Sequence, residues 1–353
     1  MNMKRIKTAI LGATGMIGQN YLYLLLNHPW FEVTTLTGGE SAGKKYSSTG
    51  KWLMSPDMPE QYKEVIVKPT EPKEVDADLI FSALPTSAAK TVEPKFAEAG
   101  FHIISDSSAF RLCDDVPVVI PEVNHDHLSL LDVQRRKRKW DGFIVSNPNC
   151  TALGLTIALK PIHDLLTIKK MVVTTMQALS GAGIPGVPSL SITDNVIPFI
   201  AEEEEKVQLE PCKMLGSIEG DRIKPANIKV EVSCNRVPTI DGHLESVYIE
   251  TKERVDVDRV KEALRSFKGK PQELKLPMAP TQPIIVREEE DRPQPRLDRL
   301  AGSVPGMSVT VGRVRRGLDA NSLWLHVLSH NTIRGGSGSS ILLGELMVAL
   351  KMI

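Results

Sequence analysis

The sequence predicts an α/β fold: a doubly wound parallel sheet, then a second α+β domain with a mostly antiparallel sheet. Three observations carry this. Short apolar runs alternate with helical periods up to Asn149, and a glycine-rich turn follows the first run. Beyond Cys150, β-branched or alternating runs follow one another with few helices between them.

Ile6–Leu11 is an apolar run bounded by charge and glycine, the pattern of a strand covered on both faces. The turn Gly12–Gly18 and a helix-periodic Ile17–Leu26 follow, ending at His28-Pro29, because a residue before proline is pushed out of the helical region. Phe31–Leu36, Leu79–Leu84, Phe101–Ser105 and Gly142–Ser146 supply further strands, with a helix over Ala88–Ala99, so the crossovers are right-handed. The last strand ends in the turn Asn147-Pro148-Asn149. A helix over Thr151–Leu159 is expected to be interrupted by Pro161. Lys170–Ala178, Lys229–Cys234, Leu244–Thr251, Met307–Arg315 and Ser322–His330 read as the second sheet, with an amphipathic helix at Asp258–Ser266. Ser337–Lys351 is apolar at helical spacing and is expected to return to the first domain. The expected division is 1–149 with 335–353, and 150–334.

Composition bounds the function. A chain of 353 residues, 41% apolar, makes roughly two domains at about 100–200 residues each. Lys and Arg total 43 and Asp and Glu total 43, which removes the electrostatic footprint of a nucleic-acid or membrane-surface protein. The four cysteines are scattered and form no CxxC pair, arguing against a metal site or disulfide framework and for a reduced compartment. With no signal-peptide pattern and no apolar stretch of about 18 residues, a cytoplasmic location is expected.

Gly12-Ala13-Thr14-Gly15-Met16-Ile17-Gly18 lies between the first strand and first helix, where glycines let a pyrophosphate approach the backbone and the helix start supplies free N–H groups. The spacing is GxxGxxG, and its strand–helix context points to a dinucleotide. The second strand leads into Thr37-Gly38-Gly39-Glu40-Ser41-Ala42-Gly43-Lys44-Lys45; small donors and two lysines suit a 2′-phosphate, hence NADP, better than a 2′-hydroxyl.

The stretch Ser146-Asn147-Pro148-Asn149-Cys150-Thr151-Ala152 puts a thiol at a helix start, where the dipole favours the thiolate and the first N–H groups are placed for an oxyanion. Cys113, Cys212 and Cys234 read as small buried hydrophobes. Among eight histidines, His243 stands out in the turn Arg236-Val237-Pro238-Thr239-Ile240-Asp241-Gly242-His243, from which a base can reach the thiol. His28, His125, His127 and His163 read as surface or turn residues; His102, His326 and His330 read as core or edge. The run Arg135–Lys139 raises a non-enzymatic nucleic-acid-binding reading, but neutral net charge and the lack of interleaved aromatics favour a solvated segment. Glu202–Glu205 and Glu288–Asp291 read as exposed faces rather than metal sites, Glu203 excepted.

GATGMIG near the start, SNPNCTA around Cys150, SGAGIPG at Ser180–Gly186 and RVPTIDGH ending at His243 together resemble the aspartate-semialdehyde dehydrogenases, in their archaeal and fungal-type branch. The likeness spans essentially the whole chain. It implies a Rossmann-type NADP domain, a dimerising α+β domain in a homodimer or homotetramer, and reversible NADPH-dependent conversion of aspartyl phosphate to aspartate semialdehyde and phosphate, on the route to lysine, threonine and methionine. It further implies Cys150 as nucleophile, His243 as acid/base, and Gln177 as the side chain that orients the acyl group. Arg236 would pair with the substrate carboxylate, a task guanidinium geometry suits. Glu203 and Lys206 match a Glu-x-x-Lys contact, its register blurred by the four-glutamate run, and Arg111, with Asn149 and Lys206, matches the phosphate site. Cofactor contacts are implied at Gly12, Thr14, Gly15, Met16, Ile17, Thr37, Ser41, Lys44, Ser82, Leu84, Ser180, Gly181, Gly183 and Asn331. Malonyl-CoA reductases resemble the same branch, with an apolar residue before the cysteine; Asn149 at that place favours the acyl phosphate. The motifs of N-acetyl-glutamyl-phosphate reductase match less well.

Overall fold

The computed structural model describes residues 5–50, 52–54 and 56–353 and divides into two compact units. The first comprises Met1–Val119, Asp126–Asn147 and Gly336–Ile353; the second comprises Ile120–His125 and Pro148–Gly335. The short segment Ile120–His125 thus belongs with the later part of the chain, and so do Pro148 and Asn149.

In the first unit, strands β1 (Ile6–Leu11), β2 (Phe31–Thr37), β3 (Leu79–Ser82), β4 (His102–Ser105) and β5 (Phe143–Ser146) form one parallel sheet in the order β2-β1-β3-β4-β5. β3 and β5 are buried throughout, and β1 and β4 beyond their first residues, which is why they read as apolar runs. Helices Met16–Leu24, Thr86–Glu98, Leu130–Arg138 and Gly338–Ala349 complete the unit. The strand order reverses between β1 and β3, the place where doubly wound sheets bind ligands beyond the strands' carboxyl ends.

His28 and His127 are not surface residues: both are buried, and His28 Nε2 meets Glu345 of the final helix at 2.8 Å. In the basic run Arg136, Lys137 and Lys139 are exposed, as expected of a solvated segment, while Arg135 and Arg138 pack on aromatic rings. Arg138 is ion-paired with Asp115 and lies over the Phe110 and Trp140 rings, and Arg135 lies over Phe143.

The second unit holds a small hairpin, β7 (Ser217–Glu219) with β8 (Arg222–Lys224), and a six-stranded sheet. The large sheet comprises β6 (Ile168–Gln177), β9 (Lys229–Arg236), β10 (His243–Thr251), β11 (Ile284–Val286), β12 (Val309–Arg316) and β13 (Ser322–Ser329), ordered β11-β12-β13-β10-β6-β9. Its three central pairings are antiparallel, while β11 with β12 and β6 with β9 are parallel, so the sheet is mixed at its edges.

On β10, residues at odd positions from His243 to Thr251 are buried and those between them half-exposed, the period-2 signature of a one-sided sheet. The buried face packs against helices Cys150–Leu166, Glu203–Met214 and Val257–Ser266. Pro161 does not interrupt the cysteine helix, which runs on to Leu166. The proline is buried in the apolar stripe, and packing of that stripe outweighs the one lost backbone bond. Behind this face, Arg334 and Glu122 form a buried ion pair at 2.7 Å within the same unit.

Candidate active site

The cysteine helix starts on a capping residue that does more than cap. Asn149 Oδ1 accepts from the N–H groups of Thr151 and Ala152, both at 3.0 Å, while its Nδ2 donates to Glu203 Oε1 at 2.8 Å. Its own backbone N–H donates to Glu210 Oε2 at 2.6 Å. Cys150 therefore occupies the first helical position, held from below by two buried glutamates of the Glu203–Met214 helix. The oxyanion role expected of the first-turn N–H groups does not fall to Thr151 and Ala152, whose hydrogens the cap has taken.

Cys150 Sγ lies 3.3 Å from His243 Nε2. On the far side of the ring the Ala178 backbone N–H donates to His243 Nδ1 at 3.0 Å. Nδ1 is thus the acceptor, and the proton of the neutral imidazole sits on Nε2, facing the sulfur. Adding a second proton would set an Nδ1–H against the Ala178 N–H. Burial opposes the imidazolium too, and with the neighbouring Arg236 and His330 it pushes His243 down to about 3. The ring therefore presents Nε2 to the sulfur within hydrogen-bond reach.

Strand register assembles the rest. Gln177 at the end of β6 lies opposite Arg236 of β9, and His243 opposite Ser329 of β13. Arg236 is buried, and its Nη1 donates to the Ala178 carbonyl at 2.6 Å, so the backbone of one residue orients both Arg236 and His243. Gln177 is buried with Nε2 3.3 Å from Thr175 Oγ1. Of the four-glutamate run, Glu203 is the buried member; Glu204 accepts from the Cys234 N–H at 3.0 Å, and Lys206 stands one turn on, 3.5 Å from Glu202.

Two glycines have steric reasons that composition does not reveal. A Cβ on Gly181 would stand 3.0 Å from Arg236 Nη1 and 3.2 Å from His243 Nε2, and one on Gly335 would stand 2.7 Å from Cys150 Cβ. Gly183 has φ of +68°, open to glycine without strain. Asn331 receives the Gly242 N–H on Oδ1 and donates to Ser180 Oγ, both at 2.8 Å, tying the Ser180 loop to the turn that delivers His243. Cys234 is buried and its thiol is pushed up to about 12 by burial; Cys113 and Cys212 are half-buried rather than fully so.

In the first unit the glycine turn fits a dinucleotide. Gly12 has φ of +75° and its missing Cβ would clash with the Ala83 carbonyl at 2.7 Å, beside the Leu84 N–H. Gly18 packs so closely on the turn that a Cβ would lie 2.4 Å from the Gly12 carbonyl, whereas above Gly15 there is room. The Met16–Leu24 helix starts on Gly15 with no side-chain cap and no acidic residue in its first turn, leaving its positive end for phosphate. The Thr14 and Met16 carbonyls accept from Gln19 and Asn20, which braces the turn.

At the ribose end Thr37 and Ser41 are buried and Lys44 is exposed, while Lys45 is paired with Glu64. Ser82 does not offer a free hydroxyl: its Oγ donates to Glu93 Oε1 at 2.7 Å, as does Ser105, and burial raises Glu93 to about 7. Arg111 is buried, donating from Nε to the Asn147 carbonyl at 2.9 Å and from Nη2 to that of Asp106 at 2.6 Å.

A doubly wound nucleotide sheet carried in one chain with a cysteine–histidine pair defines a dehydrogenase that works through a thiol. Comparison with known proteins agrees. Residues 7–131 match the model of the semialdehyde dehydrogenase NAD-binding domain, and residues 159–334 that of the semialdehyde dehydrogenase dimerisation domain. The aspartate-semialdehyde dehydrogenase of Archaeoglobus fulgidus is 53% identical over 99% of this chain and 100% of that protein. A malonyl CoA reductase (NADP) of Metallosphaera sedula is 43% identical over 98% of this chain and 97% of its own. The crystal structure of the Candida albicans aspartate-semialdehyde dehydrogenase with NADP superposes at TM-score 0.91, with 36% identity over 99% of this chain and 100% of that one. The chain belongs to the aspartate-semialdehyde dehydrogenase family.

Proposed function

We propose that the protein catalyses the reversible NADPH-dependent conversion of L-aspartyl 4-phosphate to L-aspartate 4-semialdehyde and phosphate, through a thioester on Cys150. The carrying observation is the Cys150–His243 pair, 3.3 Å apart at a helix start, with the imidazole proton fixed on the sulfur side by the Ala178 N–H.

Cys150 attacks as the thiolate, which the helix dipole and the Nε2–H donor both stabilise. Its sulfur bonds to the acyl carbon, the carbon–oxygen bond breaks, and phosphate leaves with that electron pair, bound by Lys206. Arg236 takes the substrate α-carboxylate as a bidentate pair. Gln177 and the His243 Nε2–H hold the carbonyl oxygen as it gains charge; these donors replace the Thr151 and Ala152 amides, which the Asn149 cap has taken. NADPH, when bound, supplies hydride to the thioester; the turn Gly12–Gly18 holds its pyrophosphate, and Thr37, Ser41 and Lys44 its adenosine end. His243 then steadies the sulfur as the carbon–sulfur bond breaks and the aldehyde departs.

A homodimer or homotetramer through the second unit is part of this reading. It is supported by the matched dimerisation model and by Leu190, Phe199 and Ile240, exposed by 95%, 65% and 67%. A cytoplasmic location suits a thiol that must stay reduced, and among the described residues no helix is long and apolar enough to cross a membrane.

Purified protein should reduce NADP with aspartate semialdehyde plus phosphate and oxidise NADPH only weakly with malonyl-CoA. Cys150→Ser should lose nearly all turnover and keep NADP binding. Activity with the CoA ester alone would overturn the assignment.

A further inference from the structure

Directly behind the reactive row of the sheet lies a second polar row that the mechanism does not use. Two residues on from His243, Glu245 points to the same buried face. It stands opposite Thr175 of β6 and Val327 of β13, and Thr175 stands opposite Cys234 of β9. Glu245 is fully buried, and among the described residues neither carboxyl oxygen has a hydrogen-bond partner. The helix above brings Glu203, Glu204 and Glu210; β9 brings Cys234 and Arg236; the cysteine helix brings Cys150; and β10 itself brings His243. Arg236 is the cation that β9 brings, and the helix also carries Lys206 and the buried Lys213.

Glu203 and Glu245 share that space unequally. Glu203 Oε1 accepts from Asn149 at 2.8 Å and Thr151 at 3.3 Å, so it can carry charge. Glu245 has no donor, and a carboxylate out of water without donors is costly enough to take up a proton instead. Once neutral it owns an O–H, and Glu203 is the carboxylate whose charge reaches it.

We propose that Glu245 is a positioning residue that holds a proton, and that Glu203 and Glu245 together carry one negative charge rather than two. The single charge leaves Arg236 uncompensated enough to receive an anionic substrate, and leaves Glu203 free to anchor Asn149. Burial first, then the charge of Glu203, raise Glu245 well above its ordinary value of 4.5. The stability this proton confers is complete below that value and is lost as pH rises towards the folded-state value. Loss of the proton puts a second negative charge beside Glu203, the carboxylate whose charge reaches Arg236, which weakens binding of an anion more than the chemical step. The binding half rests on the proposed function; the proton itself does not.

The test compares the full chain with Glu245→Gln, a neutral isostere, using three readouts. Infrared difference spectra at pH 7 should show one protonated-carboxyl band in the wild type that the variant lacks. In Glu203→Gln that band should titrate away at lower pH, because the neighbouring charge is gone. The E245Q variant should melt roughly 2–4 °C higher at pH 8, with the gap closing towards pH 4.5. With aspartate semialdehyde, the wild-type KM should climb above pH 8 while kcat holds, and E245Q should flatten that climb, with kcat/KM at pH 7 within about threefold of wild type, less than the tenfold that one pKa unit carries. A missing band, parallel melting curves, or a Gln variant that cannot fold would each overturn the proposal. Inactivity of both proteins towards the semialdehyde, with the band present, would instead remove the substrate assignment and its binding half and leave the proton in place.

Discussion

Asn149 joins two tasks in one side chain, and three substitutions separate them. Asn149→Ala removes the cap and the donor to Glu203. Loss of an Asn cap costs about 1 kcal/mol. Leaving the buried Glu203 carboxylate short of a donor costs roughly 1–3 kcal/mol more. Together these lower Tm by about 2–4 °C per kcal/mol in a unit of this size. Asn149→Ser keeps an oxygen for Thr151 and Ala152 but gives up the Nδ2 donor, and should recover about 1 kcal/mol of that loss. Asn149→Asp keeps the cap and improves its charge complement to the helix dipole, yet sets a carboxylate where Nδ2 stood, 2.8 Å from Glu203 Oε1. One of the two acids must then stay protonated, with a folded value raised above the unfolded one near 4. Its stability penalty relative to wild type is therefore absent at pH 4 and grows as pH rises to 7. Thermal melts from pH 4 to 8, paired with the rate of Cys150 alkylation, measure both tasks. If Ser proves as damaging as Ala, or if the Asp variant melts in parallel with wild type across the series, the two-task account of Asn149 is wrong.

Three other outcomes follow from the same geometry. Gly181→Ala should cut kcat/KM by about 100-fold with little loss of Tm, because its Cβ would press on Arg236 and His243 at 3.0–3.2 Å and misalign them; wild-type kinetics would show the loop gives way instead. His243 and His330 are depressed to about 3 and about 4, so the unfolded chain takes up protons first and stability should fall as pH drops below 6.5; His330→Asn should flatten acid unfolding between pH 6 and 4, and an unchanged slope would remove His330 from the account. Lys44→Glu should raise the KM for NADP about 10–100-fold, the worth of one charge-assisted bond, and leave that for NAD nearly unchanged; equal effects on both would place the 2′-phosphate elsewhere.

What was legible in the sequence was what chain-local physics encodes. Ile6–Leu11 is a strand over those same residues because its apolar run had no other means of burial, and the glycine turn after it lies where the topology needs it. The Cys150 helix start was legible because an apolar strand ends just before it in the turn Asn147-Pro148-Asn149. What escaped notice acts across the chain or through backbone. The Ala178 N–H that fixes the His243 proton has no sequence signature, since every residue but proline carries one. Glu210, which holds the Asn149 backbone from 61 residues away, looks on the page like any helix-surface glutamate. His28 read as a turn residue because proline follows it, but its partner Glu345 arrives 317 residues later. Pro161 misled for the opposite reason: a local rule was overruled by burial on a packed face.

The segment Ile120–His125 has a consequence for anyone who would cut this molecule apart. The chain changes unit at 119/120, 125/126, 147/148 and 335/336, so neither unit is a continuous stretch that a truncated gene could encode. A fragment beginning at Pro148 would keep Cys150, His243 and Arg236 but lose Glu122, stranding the guanidinium of Arg334 in the interior without its carboxylate. A buried charge orphaned in that way costs about 3–5 kcal/mol, a large share of what holds a domain together. The thiol chemistry therefore cannot be harvested as a portable module, and must be inherited, expressed and engineered with the nucleotide-binding half attached.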